Sequence, residues 1–167
     1  NTHDKQWFQG TDFPTISMDK FSMLSIRDYQ HQSGIEWLPD PSAAAIPKDF
    51  LKSQQNTIRK YGVIEHKDLP IKGIGYIEDR IKNSESLYNI LKFICESEVV
   101  ITNSYHCAYW SILLQRKTIV INKWSTKFNY FKYKPEFIES KNEDAVPVEL
   151  LENASKVAQI YVNAYAE

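Results

Sequence analysis

A chain of 167 residues with 43% hydrophobic and 25% charged residues is long enough for one domain with a real core and has ordinary globular composition. Its formal net charge of −1 excludes the overall basic field that draws a protein to nucleic acid or to an anionic membrane. No apolar run is long enough to span a bilayer, and the opening NTHDKQW lacks the apolar core of a signal peptide.

Residues 1–20 read as loop, punctuated by Gly10 and Pro14. Residues 21–26 (FSMLSI) predict a strand that ends abruptly in the charges Arg27 and Asp28. Residues 35–38 predict a second short strand, stopped by Pro39-Asp40-Pro41. The stretch 42–55 is ambiguous, with one helical turn expected after Pro47. A third strand is expected over 61–65, followed by His66, Lys67 and Asp68. Residues 69–80 read as a loop around Pro70, Gly73 and Gly75.

Leu87, Ile90, Leu91 and Ile94 share one face at helical spacing and predict a helix over 84–96. Ser84 is its expected N-cap, and Glu85 suits the first turn. Val99, Val100 and Ile101 then form a β-branched strand, and Thr102, Asn103 and Ser104 are turn and cap formers. A compact helix follows over 105–114, and a second buried strand over 118–121. Strand, polar turn, helix, strand is a βαβ unit with parallel pairing. Residues 122–144 read as a loop dense in Lys and aromatics. The last predicted helix covers 148–166, with Leu150, Leu151, Ala154, Val157, Ala158 and Tyr161 on one side.

This alternation predicts an α/β sheet of mostly parallel, Rossmann-like strands in a single domain. Ligands of such sheets sit outside the carboxyl ends of the strands. That rule selects Arg27 and Asp28, His66 to Asp68, Asn103 to His106, and Asn122 to Lys127. The set is rich in cations and histidines, so an anionic ligand is expected. His106, at the first turn of a helix, either meets a phosphate or carboxylate or is a buried histidine satisfied by a carbonyl. Arg27 either clamps an oxyanion or pairs with a nearby acid. His66 and Lys67 follow a strand in the same way, whereas Asp68 reads as a turn cap. Lys123 and Lys127 either neutralise a phosphate or are solvated charges. A nucleic-acid stacking surface has no basic stripe to support it. Tyr109 and Trp110 read as core, and Cys107 as a small buried residue rather than a nucleophile. The dinucleotide fingerprint, the P-loop and the H-E-x-x-H zinc motif are all absent, so neither a metal nor a cofactor is expected. With only Cys95 and Cys107, a disulfide framework is excluded and a reduced, cytoplasmic setting is expected.

SEVVITNSYHCAYWSILLQRKTIVI (97–121) resembles the C-terminal signature of the polysaccharide pyruvyl transferase family. There an apolar strand runs into a short turn, a histidine, a small-residue helix and a second strand. SIRDY (25–29) and WLPDPS (37–42) resemble that family's arginine-aspartate strand end and its aspartate-proline step. WSTKF (124–128) resembles its lysine-bearing loop after the last strand. The family usually carries an arginine where Ser104 stands and a glycine where Cys107 stands. The resemblance implies the C-terminal, donor-binding half of a two-domain glycosyltransferase-B-like fold, and the chain, which opens without Met, is expected to be a piece of something longer. It implies a transferase of bacterial surface-polysaccharide synthesis, moving pyruvate from phosphoenolpyruvate onto a sugar as a ketal. His106 would be catalytic, and Arg27, Asn103, Ser104, Tyr105, Lys127 and His66 would bind substrate. The alternatives are a nucleotide-sugar donor on the same fold, or a non-catalytic binding or scaffold domain. The implied partners are the donor and a glycan acceptor, with peripheral membrane association if that acceptor is lipid-linked.

Overall fold

A computed structural model describes residues 25–27, 29, 36–52, 57–139 and 145–162. The predicted strand at 21–26 is described only at its end, as β1 (Ser25–Ile26), and the one at 35–38 as β2 (Glu36–Trp37). These two pair in parallel as a small sheet of their own. Asp28 lies outside the described residues. After β2, Asp40 caps a 3-10 turn, Pro41–Ala45, by accepting from the Ser42 N–H at 2.9 Å. A short helix, α1 (Lys48–Lys52), starts just after Pro47.

The main sheet follows in chain order as β3 (Arg59–Glu65), β4 (Arg80–Lys82), α2 (Leu87–Cys95), β5 (Ser97–Thr102), α3 (Tyr105–Leu113), β6 (Lys117–Ile121), β7 (Glu136–Ile138) and α4 (Val148–Val157). Its spatial order is β4-β3-β5-β6-β7, and every neighbouring pair is parallel. This is a Rossmann-like α/β arrangement in which the direction of winding reverses between β3 and β5. Doubly wound sheets bind ligands at such a reversal.

The strand sequences explain the layering. Side chains alternate between faces, and both faces here are covered, so the strands read as continuous apolar runs. Ile64, Val100 and Val120 face one layer, with Ile90, Leu91 and Ile94 of α2 and Ala108 and Ile112 of α3. Val63, Val99, Ile101, Ile119 and Ile121 face the other, with Leu151 and Ala154 of α4 and with Ile71, Ile74 and Ile77 from the β3–β4 loop.

Four sequence expectations need correction. Arg80 and residues 136–138 are expected to be loop, yet Arg80 opens β4 (Arg80–Lys82) and 136–138 form β7. Both are three-residue strands at the sheet edges, half-exposed for most of their length, so neither carries an apolar run. Helix α2 starts at Leu87, and its cap is Ser86, whose Oγ accepts from Asn89 N–H at 3.2 Å. Ser84 and Glu85 belong instead to the turn that leaves β4. Helix α4 stops at Val157, short of the expected 166. It buries Leu151, Ala154 and Ser155, while Leu150 and Val157 are 45% and 61% exposed. Residues 158–162 are non-helical, and the Tyr161 hydroxyl donates to Lys134 O at 2.8 Å. Among the described residues, no helix is long and apolar enough to cross a membrane.

Gly62 lies in the middle of β3, where a Cβ would collide with the Ser97 hydroxyl and approach the Phe93 ring to 2.8 Å. Ser97 is fixed by its own bond to Phe93 O at 2.7 Å, so the neighbour has little room to move. Gly62→Ala is expected to lower stability by about 1–3 kcal/mol, read as a lower midpoint in urea with unchanged slope.

Candidate functional site

The turn after β5 is built by its own side chains. Thr102 Oγ1 donates to Ile64 O at 2.6 Å and accepts from Ser104 N–H at 3.0 Å. Asn103 Oδ1 accepts from His66 N–H, and its Nδ2 donates to Leu69 O, both at 2.7 Å. The Trp124 indole N–H donates to Asn103 O at 2.8 Å. Asn83 Nδ2 donates to Ser104 Oγ at 3.2 Å. Asn103 and Ser104 are buried, and their side chains bridge strand ends. Helix α3 leaves this turn with Ser104 as N-cap residue, but the Ser104 side chain makes no cap bond.

His106, in the first turn of α3, is half-exposed, and its Nε2 lies 3.7 Å from Asp40 Oδ2. That separation is longer than a hydrogen bond. Arg27, just past β1, donates from Nη1 to the same oxygen at 3.1 Å. Its guanidinium sits 5.1 Å from the centre of the Tyr105 ring. Tyr105 in turn stacks on Phe131 at 4.9 Å and meets the His106 ring edge-on at 5.5 Å. Lys127 lies in a 3-10 turn, Thr126–Tyr130, capped by Ser125. It is near enough to His106 for its charge to act on the imidazole. Arg27, Lys127 and the adjacent pair Tyr105 and His106 therefore come together from three segments.

Asp40 was not among the predicted site residues. It is only 5% exposed and stands between two prolines, followed by a serine. That pattern, an extended Asp poised to cap the next turn, was the available signal. Burial opposes its ionisation, but the Ser42 bonds, His106 and Arg27 outweigh burial and hold the carboxyl below its ordinary range. His106 is pushed below 6.5, chiefly by burial and then by Arg27 and Lys127, while Asp40 acts in the opposite sense. The imidazole is thus neutral at pH 7. The Cys107 thiol, buried beside it, is pushed up to about 12 and is inert as a nucleophile.

His66 belongs to a different grouping. With Asp68, Leu69 and Trp124 it lines a groove of about 410 Å³, and its ring meets that of Trp124 at 5.3 Å. Asp68 N–H donates to His66 Nδ1 at 3.3 Å, in keeping with its reading as a turn residue. Lys67 is exposed, 4.0 Å from Asp68 Oδ2. Lys123 donates to Asn129 Oδ1 at 3.1 Å. Trp124 carried no signal beyond its place in the aromatic-basic loop. Among the described residues, no group of three or more His, Cys, Asp or Glu side chains could hold a metal ion. No protein-family model matches this chain, and no curated protein or solved structure does so either.

The electrostatics have a direct readout. In a proton-NMR titration His106 is expected to titrate below 6.5. Asp40→Asn keeps a capping oxygen for Ser42 but removes the attraction for the imidazolium, so it lowers that value further. Lys127→Ala removes a repulsion and raises it. An unchanged value in both variants would show that these charges do not act on His106.

Proposed function

We propose that this chain is the donor-binding domain of a transferase of bacterial surface-polysaccharide synthesis, resembling the polysaccharide pyruvyl transferases and the C-terminal half of a glycosyltransferase-B fold. Its donor is phosphoenolpyruvate and its acceptor a sugar diol. The observation that carries this reading is the meeting of Arg27 and His106 at Asp40, with Lys127 near enough for its charge to act on the imidazole. Two cations beside the imidazole suit an anion bearing both a carboxylate and a phosphate.

The chemistry needs a proton at the enol carbon. C3 of the donor takes that proton, the C2–O bond to phosphate breaks, and two sugar hydroxyl oxygens bond to C2. Of the two hydroxyl protons released, one replaces the proton given to C3 and the other leaves with phosphate. Free His106 is neutral, but an anion beside it raises its proton affinity. Donor binding therefore loads the imidazole, Asp40 holds the imidazolium, and His106 becomes a general acid. Arg27 and Lys127 stabilise charge on the departing phosphate.

A nucleotide-sugar donor is the second reading. It is favoured by Ser104, which stands where the family usually keeps an arginine and is bonded to Asn83.

Calorimetry separates the readings. Phosphoenolpyruvate is expected to bind at pH 7 with uptake of about one proton, measured from the heats in buffers of different ionisation enthalpy. Lys127→Ala weakens binding about tenfold or more, and His106→Ala abolishes the proton uptake. Binding of a uridine or cytidine diphosphate in preference to phosphoenolpyruvate would transfer the assignment to a nucleotide sugar. If neither binds, and His106→Ala is silent in the intact system, the domain is a scaffold.

A further inference from the structure

We infer that the groove between His66 and Trp124 is the acceptor subsite and takes the ring of an uncharged sugar, one face against the indole. This rests on the transfer reading above and adds to it a place and a chemical class for the acceptor.

Position comes first. His66 follows β3, the Asn103 turn follows β5, and Trp124 follows β6. The groove thus opens at the carboxyl ends of the strands, at the reversal between β3 and β5. Its volume of about 410 Å³ is that of a small-molecule pocket.

The lining then selects the ligand. Trp124 and Leu69 are apolar, and His66 and Asp68 are hydrogen-bonding. Because Asp68 N–H occupies His66 Nδ1, the neutral ring carries its proton on Nε2, as a donor. The Asp68 carboxylate is an acceptor. Among the described residues no lysine or arginine lines the groove, and the charged side chain that does is an acid, which favours an uncharged ligand over a phosphate. An apolar platform edged by one donor and one acceptor matches a ring with C–H groups on its face and hydroxyls on its rim.

The platform is also preformed. Asn103 ties down the His66 backbone, the Leu69 carbonyl and the Trp124 indole. Rigid lining reduces the ordering cost of binding. The turn that holds the groove also carries His106, and the loop that carries Trp124 also carries Lys127. A sugar on Trp124 is therefore placed beside the donor.

The test is saturation-transfer NMR on the full chain with methyl glycosides of glucose, galactose, mannose and N-acetylglucosamine, with and without phosphoenolpyruvate. At least one glycoside is expected to receive saturation at its ring C–H protons and to shift the Trp124 indole N–H. Trp124→Leu weakens that binding about tenfold, and Trp124→Phe, which keeps a flat face, retains most of it. Asp68→Ala, at an exposed position that leaves folding intact, weakens it as well. Absence of binding by all four glycosides, equal binding to folded Trp124→Leu, or displacement by uridine stacking on Trp124 would each overturn the acceptor subsite. Since glycosides are tested without donor, a failure of phosphoenolpyruvate to bind sinks the pyruvyl reading and not this one.

Discussion

Three polar side chains at the end of β5 hold the carboxyl edge of the sheet together. Where a parallel ladder stops, the backbone groups of each outgoing loop lose their partners and must find others. Thr102 reaches across to Ile64 O, and Asn103 takes one donor and one acceptor from the loop after β3. The backbone carbonyl of Asn103 takes the Trp124 indole from the loop after β6. Both ends of the Asn103 amide are used, so the side chain cannot flip without breaking two part-buried bonds. Each such bond contributes about 1 kcal/mol net, but losing one leaves a buried group unpaired and costs more. The polar residues of this turn therefore act as a frame that decides where His66, Trp124 and His106 stand.

A second constraint is the buried carboxylate of Asp40. Taking it out of water is costly, and the Ser42 cap and Arg27 offset that cost. Other ion pairs in the fold differ in kind. Arg59 is shared among Glu96, Asp79 and Phe93 O, and Arg80 among Glu65, Ile74 O and Ile71 O. Those cations are enclosed by acceptors and brace β3 against its neighbours. Asp40 instead faces a half-exposed imidazole that is neutral and too far away for a hydrogen bond. The pair becomes strong only when His106 gains a proton. A contact of that sort couples protonation to whatever negative charge arrives, which a saturated ion pair cannot do.

How much of this was legible depends on how local the cause was. The βαβ unit at 97–121 was readable because strands buried on both faces leave continuous apolar runs. Helix α2 was readable from its spacing, but its start was displaced because β4, invisible as a run, claims the residues before it. On α4 the expected apolar face included Leu150 and Val157, yet only the part of the helix lying on β6 and β7 is covered. The rule about strand ends selected Arg27, His106 and Lys127, which lie near one another, and also Asn103 and Ser104, whose side chains bridge strand ends. Asp40 was not readable as a site residue because its partners, Arg27 and His106, lie on other elements.

The aromatic residues of the loop after β6 act in the same sense. Lys132 lies over three rings, Trp37 at 4.8 Å, Tyr133 at 5.4 Å and Tyr29 at 5.9 Å. Tyr29 N–H donates to Tyr130 O, and the Trp37 indole donates to Arg27 O. The segment that carries Lys127 is thereby fastened to the small β1–β2 sheet that carries Arg27. Cation–π contacts of about 0.5–1 kcal/mol each suffice to fix a loop whose backbone has few ladder bonds. The spacing of Arg27 and Lys127 is therefore set by this aromatic clasp rather than by the main sheet, whereas His106 and the groove at Trp124 are set by the Asn103 turn. The two groupings rest on different frames and are joined in sequence by the loop that runs from Trp124 to Lys132.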